Sequence, residues 1–147
     1  MSQQLGITPA NESLEGISWN VVGHTYTPKF HSENAMIWDA LIPVGTFVPE
    51  HIHPTQDEWI ILLEGNLEVE CGDELHHAGP GDVVRMPMGI PHGIYNRSQS
   101  DARAVFGVAP SRRLFDLFGA LDGVTDPAEL VRLSALHEVD FLPPRTA

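Results

Sequence analysis

The feature that most constrains the fold is a series of short apolar stretches that runs from Ile17 to Phe106, with turn residues between them. Gly, Pro, Asp or Asn separates one stretch from the next. Strand-sized segments with this spacing are typical of an all-β sandwich or barrel. The segments that we predict as strands include 17–22, 35–42, 59–63, 67–71, 82–85, 94–96 and 103–108.

Two glycines mark predicted hairpin turns within this region. Gly65 stands between Glu64 and Asn66, and Gly72 stands between Cys71 and Asp73. Glycine adopts positive φ angles at little cost, and tight turns between strands require such angles. We therefore expect one hairpin at each glycine.

The pattern becomes helical after Pro110. Apolar residues at helical spacing predict one helix over 112–121, with Leu114, Phe115, Phe118 and Leu121 on one face. Asp126, Pro127 and Glu129 have the spacing of a capping box and predict the start of a second helix. The expected organisation is an N-terminal arm (1–16), a β-barrel (17–110) and a helical C-terminal extension of the same domain (111–147).

Length and charge limit the classes of partner. A chain of 147 residues suits one domain with its own core. The net charge of −12 repels nucleic acid and anionic membrane surfaces, so we expect neither as a partner. The polar N-terminus has no signal-peptide pattern, which predicts a cytoplasmic protein. The single cysteine, Cys71, excludes a cysteine-held zinc site or cluster.

Three histidines and one glutamate are the candidate metal ligands. His51 and His53 are two residues apart, so on an extended strand their side chains point the same way. An antiparallel neighbouring strand can bring Glu58 beside them, and His92 opens a later strand. Imidazole and carboxylate ligands suit one divalent transition metal: Fe, Mn, Ni, Co, Cu or Zn. Four ligands on an octahedral ion leave two positions open for chemistry.

These residues resemble both signature motifs of the cupin superfamily. Gly45, His51, His53, Glu58 and Gly65 match the first motif with every gap met. The second motif is matched by Gly81, Pro87, Gly89, His92 and Asn96. The C-terminal tail is similar to that of small single-domain bacterial cupins of the quercetin 2,3-dioxygenase-like group.

The resemblance implies a fold, a ligand set and a catalytic residue. It implies a double-stranded β-helix (cupin, or jelly-roll) barrel with two short C-terminal helices, and a metal bound by His51, His53, Glu58 and His92. Glu58 would also be the catalytic base. Alternation along the strands, with neighbouring apolar residues, predicts a substrate pocket walled by Phe47, Ile60, Leu62, Met86, Met88, Ile94, Phe106 and Val108.

Three functions remain open on the sequence. The first is a metal-dependent dioxygenase, an oxidoreductase acting on a small aromatic or enolisable substrate. The second is an oxygen-independent lyase or isomerase that uses the metal as a Lewis acid. The third is a non-catalytic cupin that binds a small molecule. In each case we expect a homodimer, in which the N-terminal arm extends a sheet of the neighbouring subunit.

Overall fold

The structure is a computed structural model that describes residues 5–144. These residues form eleven strands, two α-helices and a 3₁₀ turn at Leu14–Gly16. The helices are α1 (Leu114–Leu121) and α2 (Pro127–Leu136). The strands are β1 (Trp19–Val21), β2 (His24–His31), β3 (Met36–Ile42), β4 (Phe47–Ile52), β5 (Asp57–Glu64), β6 (Leu67–Cys71), β7 (Glu74–Ala78), β8 (Val83–Met86), β9 (His92–Tyr95), β10 (Ala102–Ala109) and β11 (Asp140–Phe141).

The strands form two antiparallel sheets. One sheet has six strands in the order β1-β2-β3-β10-β5-β8, and the other has five in the order β11-β4-β9-β6-β7. This is the predicted double-stranded β-helix with two short C-terminal helices, so the predicted fold class is confirmed.

The core lies between the inner faces of the two sheets. Along β3, buried and partly exposed residues alternate, which is the period of a strand with one face on the core. β10 runs antiparallel between β3 and β5, and the inward residues of all three strands are buried. Those residues are Met36, Trp38, Ala40, Ile42, Ile60, Leu62, Ala102, Ala104, Phe106 and Val108.

The two predicted hairpin glycines have different roles. Gly72 lies in a true hairpin, because β6 and β7 pair from Cys71 opposite Glu74. Gly65 does not, because β5 belongs to the six-stranded sheet and β6 to the five-stranded one. The chain crosses between sheets at Gly65, where φ is +83° and a Cβ atom would lie 2.8 Å from the carbonyl oxygen of Asp101. Positive φ and this close approach explain the glycine.

The C-terminal extension packs on the barrel. Leu114, Leu117, Phe118 and Leu121 of α1 are buried. Asp126 caps α2 by accepting a hydrogen bond from the amide of Ala128. Glu129 was predicted to complete a capping box, but its carboxylate instead accepts a hydrogen bond from Arg132. After α2 the chain returns as β11, which pairs with β4 and places Phe141 opposite His51.

The described part of the N-terminal arm, residues 5–16, is bound to β2 of its own chain. The hydroxyl of Thr8 donates to the carbonyl of Lys29 at 2.8 Å. The Lys29 ammonium donates to the carbonyls of Pro9 and Glu12. Residues 1–4 of the predicted arm and 145–147 of the predicted extension lie outside the described residues. Neither α-helix in the described chain has the length and apolar run needed to cross a bilayer.

Candidate metal centre

The four predicted ligands converge inside the barrel. One ligand atom from each of His51, His53, Glu58 and His92 lies within 4.8 Å of the others. All four residues are buried, with fractional exposures between 1% and 6%. We call these four residues the cluster.

The three histidines come from the five-stranded sheet. His51 on β4 lies directly opposite His92 on β9, and their ring centroids are 4.4 Å apart. His53 follows the end of β4, and its ring lies parallel to that of His92 at 5.3 Å. The prediction that the spacing of two places His51 and His53 side by side agrees with their centroid distance of 5.1 Å.

Glu58 reaches the histidines from a direction that the sequence argument did not predict. We expected an adjacent antiparallel strand, but β5 pairs with β10 and β8 in the six-stranded sheet. The side chain of Glu58 therefore reaches the histidines across the interior of the barrel, from the opposite sheet. Its Oε1 atom lies 2.9 Å from Nε2 of His92 and 3.4 Å from Nε2 of His53.

Two histidines are fixed in the tautomer that a metal requires. Nδ1 of His51 is 2.7 Å from the carbonyl oxygen of Pro49, and Nδ1 of His53 is 2.8 Å from Oε1 of Gln56. Both acceptors can receive only an N–H, so each Nδ1 donates and each Nε2 keeps a free lone pair. A hydrogen bond of this kind orients a metal-binding imidazole.

Buried atoms without partners show that the cluster fits a cation. Among the described residues, Nδ1 of His92 is buried without a partner, and Oε1 of Glu58 and Nε2 of His92 have no well-aligned hydrogen bond although they lie 2.9 Å apart. Such groups are costly unless something compensates them. A divalent ion accepts lone pairs from imidazole and carboxylate alike, and it also balances the carboxylate charge.

The charge states of the cluster also suit a metal. Burial lowers the pKa of His51 well below its ordinary value, and the neighbouring His92 and His53 lower it further. Burial also lowers the pKa of His53. Burial alone would raise the pKa of Glu58, but His53 and His92 together bring it below its usual range. Neutral imidazoles and an ionised carboxylate are the forms that bind metal.

A small cavity lies next to the cluster. His51, His53 and Glu58 are part of its wall, and the rest is almost entirely apolar. The cavity has a volume of about 50 Å³, which is several times what one water molecule needs. The remaining lining residues are Val21, Val22, Tyr26, Trp38, Val48, Ile94, Phe106, Leu114, Leu117, Phe118, Leu121, Leu130, Ser134, Val139 and Phe141.

The eight predicted pocket residues divide into three groups. Ile94 and Phe106 line the cavity. Ile60, Leu62, Met86 and Val108 are buried in the barrel core but are not part of the cavity wall. The last two, Phe47 and Met88, are corrections: their fractional exposures are 52% and 45%, and neither lines the cavity.

A bulge in β4 explains the error at Phe47. Val48 pairs with Ile94 and His51 pairs with His92, so three steps along β4 oppose two steps along β9. An extra residue of this kind reverses the inward and outward alternation. Val48 therefore faces the cavity and Phe47 lies outside, where its ring stacks on Tyr95. Met88 lies in the turn after β8, where strand alternation does not apply.

Three contributors to the site were missed. Gln56 binds His53, and its amide nitrogen donates to the carbonyls of Pro110 and Ser111 at 2.9 and 2.7 Å. Its position between two ligands was a signal, but polar residues are ordinary in turns. His24 is fully buried, and its Nδ1 atom lies 2.9 Å from the hydroxyl oxygen of Tyr26, a residue of the cavity wall. The third is the set of cavity residues from the C-terminal extension.

Comparison with known proteins agrees with this geometry. A protein-family model described as "Cupin domain" matches residues 38–108, which include the whole cluster. This chain contains a cupin domain. The resemblance to the cupin superfamily is thereby confirmed. An RmlC-like cupin from Shewanella frigidimarina shares the fold, with a TM-score of 0.68 at 16% identity over 78% of this chain and 99% of that one.

Two curated relatives have sequence similarity to the cupin domain. The Tetracenomycin polyketide synthase protein TcmJ of Streptomyces glaucescens is 35% identical over 66 residues, covering 45% of this chain and 44% of that protein. Polyketide synthase CurC of Streptomyces cyaneus is 30% identical over 71 residues, covering 48% and 46%. The chain spans about half the length of the curated relatives it matches.

Proposed function

We propose that this protein is a metal-dependent enzyme that acts on a small, enolisable or aromatic substrate bound at the cluster. The observation that carries the proposal is the buried set of three imidazoles and one carboxylate next to an apolar cavity. Buried ligands oriented by hydrogen bonds suit an ion whose remaining positions face a substrate.

The chemistry of the cavity supports this substrate class. Its wall combines aromatic rings, including Tyr26, Trp38, Phe106 and Phe118, with a cation site at one edge. Aromatic and aliphatic walls favour a flat or apolar body, and the metal favours an oxygen donor. The similarity to polyketide synthase proteins points the same way. Polyketides carry carbonyls that enolise readily or have become phenols.

Within this class we propose a dioxygenase, of the quercetin 2,3-dioxygenase-like type, as the first candidate. When bound, the metal would supply a Lewis acid for the substrate oxygen and open positions for dioxygen. Glu58 would accept the proton of the substrate hydroxyl. The apolar wall would exclude bulk water from the reacting atoms.

An oxygen-independent lyase or isomerase is the second candidate. The similarity to polyketide synthase proteins favours it, because rearrangement of a polyketone requires enolisation but no oxidant. In this case Glu58 would accept a proton from carbon and return it elsewhere on the substrate. The same residues serve both candidates, so the use of oxygen separates them.

The experiment is turnover under controlled oxygen. Protein reconstituted separately with Fe²⁺, Mn²⁺, Ni²⁺, Co²⁺, Cu²⁺ and Zn²⁺ is supplied with flavonols, catechols and β-diketones in an oxygen electrode. Oxygen uptake matched to product would support the dioxygenase, and turnover that persists under strict anaerobiosis would support the second candidate. A ligand that binds and returns unchanged in every case would indicate the non-catalytic cupin.

We also propose that the protein is a homodimer. Ile61 and Val83 pair across β5 and β8, and their side chains are 37% and 56% exposed on the outer face of the six-stranded sheet. Leu63 on the same strand is 52% exposed. Adjacent exposed apolar residues of this kind often lie in an interface between subunits. Light scattering giving the mass of one chain would contradict the proposal.

A further inference from the structure

Two residues that line the cavity but are not part of the cluster each have a polar atom without a partner. These atoms are Oγ of Ser134 and Nε1 of Trp38, and neither has a hydrogen bond within residues 5–144. Both residues are fully or almost fully buried. Three other unpaired buried atoms outside the cluster, in His24, His31 and Thr55, belong to residues that do not line this cavity.

The position of Ser134 is unusual for a serine. It is the fully buried residue of α2, whereas the neighbouring apolar residues Leu130 and Leu133 are only partly buried. A serine inside a helix normally faces solvent or returns its hydroxyl to a carbonyl one turn earlier. The side chain of Ser134 is buried and its hydroxyl makes no such bond. Its backbone carbonyl is satisfied separately, by the amides of His137 and Val139. Its hydroxyl is therefore left without a partner in a residue that lines the cavity.

Packing fixes the Trp38 indole. Its ring stacks on Phe106 with the centroids 5.4 Å apart, and Phe118 meets it edge-on at 5.1 Å. An indole N–H can only donate. A hydroxyl can donate or accept, so a single oxygen acceptor satisfies either residue.

We propose that Ser134 and Trp38 bind an acceptor oxygen of the substrate other than the oxygens held at the metal. The inference rests on the proposed function and narrows its substrate class. It requires a compound with a further carbonyl or phenolate oxygen beyond the metal-binding pair, as in a triketone or a polyhydroxylated aromatic. A simple β-diketone has no such oxygen.

The test compares two probes that differ in this feature. Pentane-2,4-dione can offer only its metal-binding pair, whereas heptane-2,4,6-trione has a third carbonyl. Each is titrated calorimetrically into Ni²⁺-loaded wild type, Ser134→Ala and Trp38→Phe. We expect the trione to lose affinity by about three- to tenfold in either variant, which is the effect of one hydrogen bond. We expect the dione to bind wild type and Ser134→Ala equally.

Equal trione affinity in wild type and both variants would overturn this inference and leave the proposed function standing. Failure of both probes to bind wild type loaded in turn with each of the six metals named above would overturn the proposed function and this assignment with it. The melting temperature of Ser134→Ala shows whether the hydroxyl has a structural role instead of a role in substrate binding. Ser134→Ala should melt at or above the wild-type temperature, because an unpaired buried hydroxyl stabilises nothing.

Ser111→Ala is the matched control for that measurement. Ser111 is equally buried, but its hydroxyl donates to the carbonyls of Ser32 and Glu33 at 2.5 and 3.2 Å. This variant should therefore melt below wild type. A similar loss in Ser134→Ala would show that its hydroxyl has a structural partner, and that result would also overturn the inference.

Discussion

The cluster and the part of the C-terminal extension that closes the cavity are built on different principles. The barrel strands and their ends hold the cluster, and hydrogen bonds fix the rings of His51 and His53. The closing part, which we call the cover, consists of α1, α2 and β11 and contributes mostly apolar side chains. Directional bonds therefore set the ligand geometry, whereas close packing sets the shape of the cavity. Metal binding and substrate recognition should respond to different substitutions.

The sharpest test of this difference is Glu58→Gln. The substitution removes the carboxylate that reaches the histidines from the opposite sheet and the negative charge that balances a cation. We expect metal affinity to fall by more than the roughly 10–100-fold effect of losing an outer hydrogen-bond partner. Competition with a chromophoric chelator measures the affinity. The cover should keep its packing, so near-ultraviolet circular dichroism should be unchanged.

Asp57→Asn is the matched control. Asp57 adjoins Glu58 in sequence, but it is exposed and accepts a hydrogen bond from the amide of Met88. It should bind metal as wild type does. Equal losses in the two variants would show that general negative charge, not the cluster, holds the ion.

The same difference explains which parts of the fold and of the site could be predicted from the sequence. The ligands lie within 42 residues of one another at the spacing of two short motifs, so His51, His53, Glu58 and His92 could be predicted from the sequence. β2 was missed because its inward residues include His24, Tyr26 and Pro28, which are not the aliphatic residues of a typical strand. β7 was missed because only Ala78 in it is buried.

The cavity wall could not be predicted for a further reason. It draws on residues as distant as Val21 and Phe141, and no local period links such segments. Within the barrel, one extra residue in β4 places Val48 in the cavity wall, where Phe47 was predicted. A bulge depends on pairing across strands, which a single sequence does not report.

A second prediction concerns His24 on β2, which contacts Tyr26 of the cavity wall. His24 is fully buried, and burial lowers its pKa to about 4. In the unfolded chain the imidazole takes up a proton below about pH 6.5, whereas in the folded chain it does so only near pH 4. Stability is therefore intact above pH 6.5 and is lost as the pH falls towards 4. This single group accounts for a loss of about 3 kcal/mol over that interval.

The measurement is the free energy of unfolding of metal-free protein in urea at several pH values. His24→Gln should remove this part of the acid sensitivity, while the histidines of the cluster contribute equally to both proteins. His77→Gln is the control, since the side chain of His77 is 71% exposed. An unchanged pH profile in His24→Gln would contradict the prediction, because it would mean that this imidazole has the same pKa in the folded and the unfolded chain.

Gln56 connects the two regions and gives the finest test. Its carbonyl oxygen receives the His53 N–H, and its amide nitrogen donates to Pro110 and Ser111, where the C-terminal extension begins. Gln56→Leu removes both links, so we expect a loss of metal affinity of about 10–100-fold together with lower stability. Chelator competition and urea unfolding measure the two effects.

Gln56→Glu separates the links. A carboxylate still accepts the His53 N–H, but it cannot donate to the carbonyls of Pro110 and Ser111. We expect near-normal metal affinity with faster proteolysis of the C-terminal extension, because one anchor of the cover is lost while the ligand stays oriented. If metal affinity falls as far in Gln56→Glu as in Gln56→Leu, the bond to His53 does not act alone. The position of the cover would then control the metal, and the two regions would not be independent.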